Sequence, residues 1–362
     1  MNRLIIIGNG FDLAHGIKTS FNDFISDYFC NAINSFYTNH SYSDILLEIN
    51  FKVDYHSFSE RPKPVNKETV YEAASRLIKT RDINFKFHSL LLERVYSRTS
   101  ILKWVDIEVE FFNVLIATRH GHKGANQGDA INKVNEQLEC LKIKLVEYLQ
   151  EQENNFNNSS IKKSISDCFR EEIKKDEIVT VALEKDKLPD NLYFLNFNYT
   201  KTFEDYFKIC ERHIPSSYNY IHGNLSGKYG NPIFGFGDEL DKKYLEFEDE
   251  KNNDLFKHIK SFEYLQTKNY YDLTRFIESN DFQTHIYGHS CGISDRTMLN
   301  QIFEHENCKS IKVFYHKIND QQNDFTNKTY EISRHFKDKI MLRKKLVPLE
   351  LSREMPQPKM NK

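Results

Sequence analysis

Four short stretches of the chain gather residues that could do acid–base or phosphate chemistry. His222 stands beside Gly223. This joins the one ring that titrates near neutrality to a residue that lets a ligand come close, the pairing a general base needs. A histidine hydrogen-bonded into a turn would read the same way. Asn198, in Asn196-Phe197-Asn198-Tyr199-Thr200, offers a carboxamide that could orient a ribose hydroxyl or a water. It would equally cap a helix beginning near Lys201. Gly8-Asn9-Gly10-Phe11-Asp12 follows an apolar run. Without Cβ atoms, Gly8 and Gly10 could take positive φ and bring backbone N–H groups to an anionic pyrophosphate, although a tight turn with no ligand needs the same residues. The third glycine of a dinucleotide fingerprint would fall at Leu13, and the next glycine is Gly16, which excludes the dehydrogenase form. In the fourth stretch, Gly288 to Asp295, the polar groups Ser290, Ser294 and Asp295 could bond a ribose or phosphate, Ser294 serving equally as a helix cap. Gly235-Phe236-Gly237-Asp238-Glu239 reads as a charged loop, and no metal is assigned to it.

These stretches need elements to hold them. Leu4 to Ile7 reads as a buried parallel strand, and Ser20 with Asp23 as a capping box opening a helix whose buried face is Phe21, Phe24, Ile25, Tyr28 and Phe29. Strand-like runs return at Leu192 to Phe197, Tyr218 to His222, Pro232 to Phe236, Thr284 to Tyr287 and Ser310 to Tyr315. Alternating with helical stretches, they predict an α/β fold with a mainly parallel sheet covered on both faces. Ligands in such sheets sit off the carboxyl ends of the strands, so the four stretches are expected on one rim. Residues 1–30 and 189–350 are read as a Rossmann-like nucleotide-binding core and 31–188 as a helical insertion, with 351–362 as a disordered tail. The clearest insertion helix carries Ile131, Val134, Leu138, Leu141, Leu145 and Tyr148 on one face. Trp104-Val105-Asp106-Ile107-Glu108 reads as a helix start.

Composition narrows the partners. A net charge of -2 with 28% charged residues of mixed sign gives no reason to expect nucleic acid or an anionic membrane as partner. The six cysteines form no Cys-x-x-Cys pair, so neither structural zinc nor a disulfide framework is expected. Leu4 to Ile7 is too short for a signal-peptide core, and no run reaches membrane-spanning length, which leads to the expectation of a cytoplasmic protein.

Taken in order, Ile6-Ile7-Gly8-Asn9-Gly10-Phe11-Asp12-Leu13, Trp104 with Asp106 to Glu108, Phe197-Asn198-Tyr199-Thr200, His222-Gly223 and Gly288-His289-Ser290 through Asp295 resemble the bacterial AbiH family, named for abortive infection by phage. More distantly they are similar to sirtuin-like domains of bacterial defence proteins. That likeness implies an NAD site: Gly8, Asn9, Gly10, Phe11 and Asp12 would hold the pyrophosphate and Asn198 the nicotinamide ribose or attacking water, with His222 as base. Thr200, Gly223 and Gly288 would line the site, and Ser290 and Asp295 would face the adenosine side. The chain lacks the cysteine-paired zinc module of sirtuin deacetylases, so the implied activity is cleavage of NAD at the nicotinamide–ribose bond rather than deacylation. Regulation would come from a homo-oligomer, a phage-derived trigger or a companion defence protein. A nucleotide-sensing module without catalysis, and a nuclease, remain open as other classes.

Overall fold

The computed structural model describes residues 1–52, 64–102, 106–122, 125–156, 163–250 and 252–357. The chain divides into two compact units. One comprises Met1–Ile17, Leu149–Glu250 and His258–Lys362, the other Lys18–Tyr148 and Lys251–Lys257.

The first unit is built on six parallel strands. β1 (Asn2–Ile7) is all apolar beyond Arg3 and wholly buried, as a strand covered on both faces must be. β5 (Leu192–Asn196) and β6 (Ser216–Tyr220) extend the sheet on one side of it, and β7 (Phe282–Tyr287), β8 (Cys308–Tyr315) and β9 (Arg353–Glu354) on the other. The spatial order is β6-β5-β1-β7-β8-β9, so the winding direction reverses between β1 and β7. Register places Ile7 opposite Asn196 and Tyr287, and Asn196 opposite Tyr220. The residues that follow these strands therefore emerge on a common rim. Leu4 and Ile6 pack on one face with Leu195, Ile286 and helix residues such as Leu299 and Ile302, while Ile5 and Ile7 pack on the other with Phe194, Phe169 and Tyr206.

A polar seam crosses the second face. Arg3, fully buried, donates to the carbonyls of Phe169 and Glu171 and to Gln283. Lys312 on β8 bonds Glu171 at 2.8 Å and Glu177 at 2.6 Å, and Gln283 donates to the second oxygen of Glu177 at 3.0 Å. Charges this deep persist only when paired.

Three expectations are corrected. Pro232 to Phe236 forms no strand; Phe236 makes a single parallel bridge to Ile259. The tail expected to be disordered from residue 351 instead contributes β9, with Met355 buried, because its backbone pairs with Phe314 and Tyr315. The segment read as a helical insertion contains an antiparallel sheet of β2 (Ser41–Ser43), β3 (Leu47–Phe51) and β4 (Ile83–Phe87), which belongs to the second unit.

In that unit the helix Phe21–Asn39 opens on Ser20, whose hydroxyl accepts from Asp23 N at 3.1 Å and donates to the Asp23 carboxylate. Within the same unit, the helix Ala125–Asn154, whose residues from Leu149 on belong to the first unit, buries the expected stripe from Ile131 to Tyr148. Asp106 caps Ile107–Gly121 by accepting from Val109 N at 3.0 Å, whereas Trp104 lies outside the described residues. Among the described residues, no helix is long and apolar enough to cross a membrane.

Candidate functional site

The rim residues sort into three groups of contacts. The first is a backbone joint between the turns after β1 and β7. Gly8 N donates to Tyr287 O at 3.0 Å and Gly10 N to Gly288 O at 2.8 Å. A Cβ on Gly8 would stand 2.4 Å from His289 Cα, and one on Gly10 would stand 2.8 Å from Gly288 O. The glycines expected to admit a phosphate are thus spent on bringing two backbone turns together, with both amides already engaged. Asn9 is exposed at this turn, and Phe11 points into the core against Tyr206 and Phe169. The helix that follows, Asn9–Ala14, is less than two turns long.

The second group ties β1 to β5. Thr200 Oγ1 donates to Asp12 Oδ2 at 2.6 Å, and Thr202 donates to Thr200 at 3.3 Å. Asn198 donates from its carboxamide to Gly8 O at 3.1 Å, so it neither caps the following helix, Glu204–Glu211, nor hangs free. Burial raises the Asp12 carboxyl to about 6, against the opposing Thr200 hydrogen bond.

That shift fixes a pH signature. Its folded value lies above the unfolded one of about 3.9, so between pH 4 and 6 the native state holds a proton that the unfolded chain has lost. Stability from this group is therefore complete at low pH and falls as pH rises through about 6, by roughly 3 kcal/mol in all. Asp12→Asn keeps an acceptor for Thr200 and removes the charge. It is expected to raise the melting temperature relative to wild type at pH 7.5 and to lose that advantage at pH 4.5. A difference that does not change with pH would contradict the assignment.

The third group is a buried acid–base cluster. His222, following β6, places Nε2 3.3 Å from Asp295 Oδ1 and 3.0 Å from the Tyr264 hydroxyl. Lys260 Nζ lies 2.8 Å from the same Asp295 oxygen, and His289 Nε2 lies 3.6 Å from Oδ2. The Phe197 ring sits by both imidazoles, 4.2 Å from His289 and 5.2 Å from His222 between centroids. His222 is 6% exposed, Asp295 9% and Lys260 1%, so the cluster is held away from bulk water, where charge interactions are strong.

Hydrogen-bond logic assigns the ring protons. Cys291 N donates to His289 Nδ1 at 3.0 Å, which leaves the His289 proton on Nε2, toward Asp295. At His222, a lone pair on Nε2 would oppose the Asp295 carboxylate, while a proton there satisfies both Asp295 and Tyr264 as acceptors. His222 is therefore the Nε2–H tautomer, and Nδ1 is the ring's proton acceptor. Burial would push the Asp295 carboxyl up, but Lys260 and His222 outweigh it and hold Asp295 well below the usual carboxylate range. Burial, reinforced by the Lys260 charge, lowers His222. The pair at neutral pH is an ionised carboxylate and a neutral imidazole.

The sequence reading named His222 and Asp295 but assigned no role to His289 and passed over Lys260 and Tyr264. Those two lie one helical turn apart in the stretch Lys260–Gln266, a spacing that carries no signal of its own in a segment rich in Lys and Tyr. Ser290 is exposed, Gly223 closes on the backbone of Asn231, and Ser294 makes no cap: the helix Arg296–Glu304 follows Asp295 without a side-chain capping bond. Asp238 is drawn to Arg296 at 3.2 Å rather than toward the cluster.

Compared with known proteins, the chain matches a family model described as "Bacteriophage abortive infection AbiH" over residues 4–317. No curated protein and no solved structure matches the chain.

Proposed function

The chain belongs to the bacteriophage abortive-infection family AbiH and so has a role in phage defence, and from that premise we propose that it is an effector hydrolysing NAD at the nicotinamide–ribose bond, with His222 as general base. The observation that carries this reading is the His222–Asp295 pair, with its neutral imidazole and fixed tautomer, at the carboxyl rim of the parallel sheet.

The chemistry asks little more of the protein. When the ribose C1′–pyridinium bond breaks, both electrons go to nitrogen, so nicotinamide leaves neutral and needs no acid. Water supplies the new oxygen, and His222 Nδ1 takes its proton. Asn198, fixed by Gly8 O, is assigned to hold the sugar. Strand order supports a nucleotide: the winding reverses between β1 and β7, with three strands on each side, and ligands of open parallel sheets sit at such a switch point. The pyrophosphate is not given to the Gly8 and Gly10 amides, which are already bonded to the β7 turn.

The test follows NAD and nicotinamide with purified wild type, His222→Ala and Asn198→Ala, with and without phage lysate. Wild type is expected to release nicotinamide and His222→Ala to fall by 100-fold or more, about the worth of a general base. If NAD raises the melting temperature yet survives intact under every activating condition, the chain senses the nucleotide instead.

A further inference from the structure

We propose that Lys260 is a positioning residue for the base: its charge satisfies Asp295, so that Asp295 orients His222 without protonating it. The inference rests on the reading of His222 as base. Its geometry is independent of the substrate.

Charge counting gives the mechanism. Asp295 is faced by Lys260 from the stretch 260–266, by His222 from the β6 rim and by His289 from the β7 turn, and Tyr264 meets His222. Farther out stand Lys328, bonded to His289 O, and His335, bonded to Cys291 O. One ammonium and one carboxylate cancel, so the site asks for no further positive charge on His222. Remove the ammonium and a carboxylate only 9% exposed is left with two imidazoles. Burying it uncompensated is costly, and the nearest way to compensate it is to add a proton to His222, whose Nε2 is already directed at Oδ1. The Nδ1 lone pair, and with it the base, is then lost.

The fold goes to some length to place this lysine. Lys260 N donates to Phe236 O at 2.9 Å and Phe236 N to His258 O at 3.0 Å, so residues 258–260 are laid along the Gly235–Gly237 segment. A Cβ on Gly235 would stand 2.0 Å from His258 O. One on Gly237 would stand 2.6 Å from Ser294 O and 3.2 Å from Lys260 Cδ. The two glycines thus let the Lys260 segment and the Ser294–Asp295 segment both close on 235–237. A merely structural lysine could be replaced by any well-packed side chain; a charge-setting one could not.

Histidine-15N-labelled protein reports the protonation of each ring directly, with the His222 signals assigned by their loss in His222→Gln. In wild type and Lys260→Arg, His222 is expected to be neutral with its proton on Nε2 at pH 7. In Lys260→Gln, which keeps a donor toward Asp295 without the charge, His222 should stay doubly protonated to a pH higher by about one unit or more. Lys260→Gln/Asp295→Asn restores neutrality, and its His222 should titrate as in wild type. Where nicotinamide release is measurable, the acid limb of its pH profile should move up in Lys260→Gln alone. Unchanged His222 titration in Lys260→Gln, or a proton taken up by His289 alone, would overturn the proposal. If His222 titrates as expected while NAD survives, the role of Lys260 stands and the substrate reading falls.

Discussion

Gly288→Ala should cost more than about 4 kcal/mol of stability, by forcing a side chain into backbone that cannot yield. Gly288 has φ +67°, where an alanine is already strained. Its added Cβ would lie 2.1 Å from Phe11 N and 2.5 Å from the Gly10 carbonyl carbon. The β1 and β7 turns would have to part, and with them the bond from Gly10 N to Gly288 O. His289 follows directly in the chain and Asp295 seven residues on, so the cluster should be lost together with stability. Gly227 supplies the control. Its φ is +72°, yet the nearest atom to an added Cβ is Asn231 Oδ1 at 3.5 Å. Gly227→Ala should therefore cost only the backbone conformation, about 1–2 kcal/mol. Chemical denaturation of the two variants separates close packing from φ; equal losses would mean that the turns are not held together as described.

Lys312→Met should destabilise the first unit by about 3–5 kcal/mol, the usual result of stripping one partner from a buried ion pair. Lys312 is 2% exposed and Glu177 5%, and Lys312 bonds both Glu177 and Glu171. Methionine fills similar volume, so the loss reports chiefly the uncompensated Glu177 carboxylate rather than a cavity, since Arg353 still pairs with Glu171. The double variant Lys312→Met/Glu177→Gln should lose less than the sum of the single changes, because that charge goes with its partner. Strict additivity in thermal unfolding would show that the seam is not coupled.

The fold was legible where local pattern and burial coincide. Leu4 to Ile7 could only be a strand covered on both faces, and the runs at Leu192, Tyr218, Thr284 and Ser310 match β5 to β8 within two residues. In the second unit the signal was present but went unread: Leu47-Glu48-Ile49-Asn50-Phe51 and Ile83-Asn84-Phe85-Lys86-Phe87 alternate with a period of two, and they form β3 and β4. Pro232 to Phe236 misled because its apolar residues are buried without sheet pairing: Phe236 bonds 258–260, and Ile233 bonds His222 O and joins the core beside Phe197 and Ile221.

The rim shows the same division. Strand ends delivered His222 and the Gly288–Asp295 link to one edge, as a parallel sheet requires. What sequence could not give was what each glycine excludes and what each charge faces. Gly8 and Gly10 admit a neighbouring turn, and Lys260 reaches Asp295 across 35 positions of chain. Such pairings are tertiary and leave no periodic trace. Asp12, opaque in the sequence, becomes a buried carboxyl bonded to Thr200 that ties two strand ends together.

The central claim is that the His222–Asp295 centre performs the defence function. The most direct measurement is plating of phage on cells expressing wild type, His222→Gln or His222→Ala at matched levels of folded protein. Loss of protection in both variants, with NAD depletion on infection seen only in wild type, is the predicted result. Full protection by a folded His222→Gln or His222→Ala chain would contradict the account.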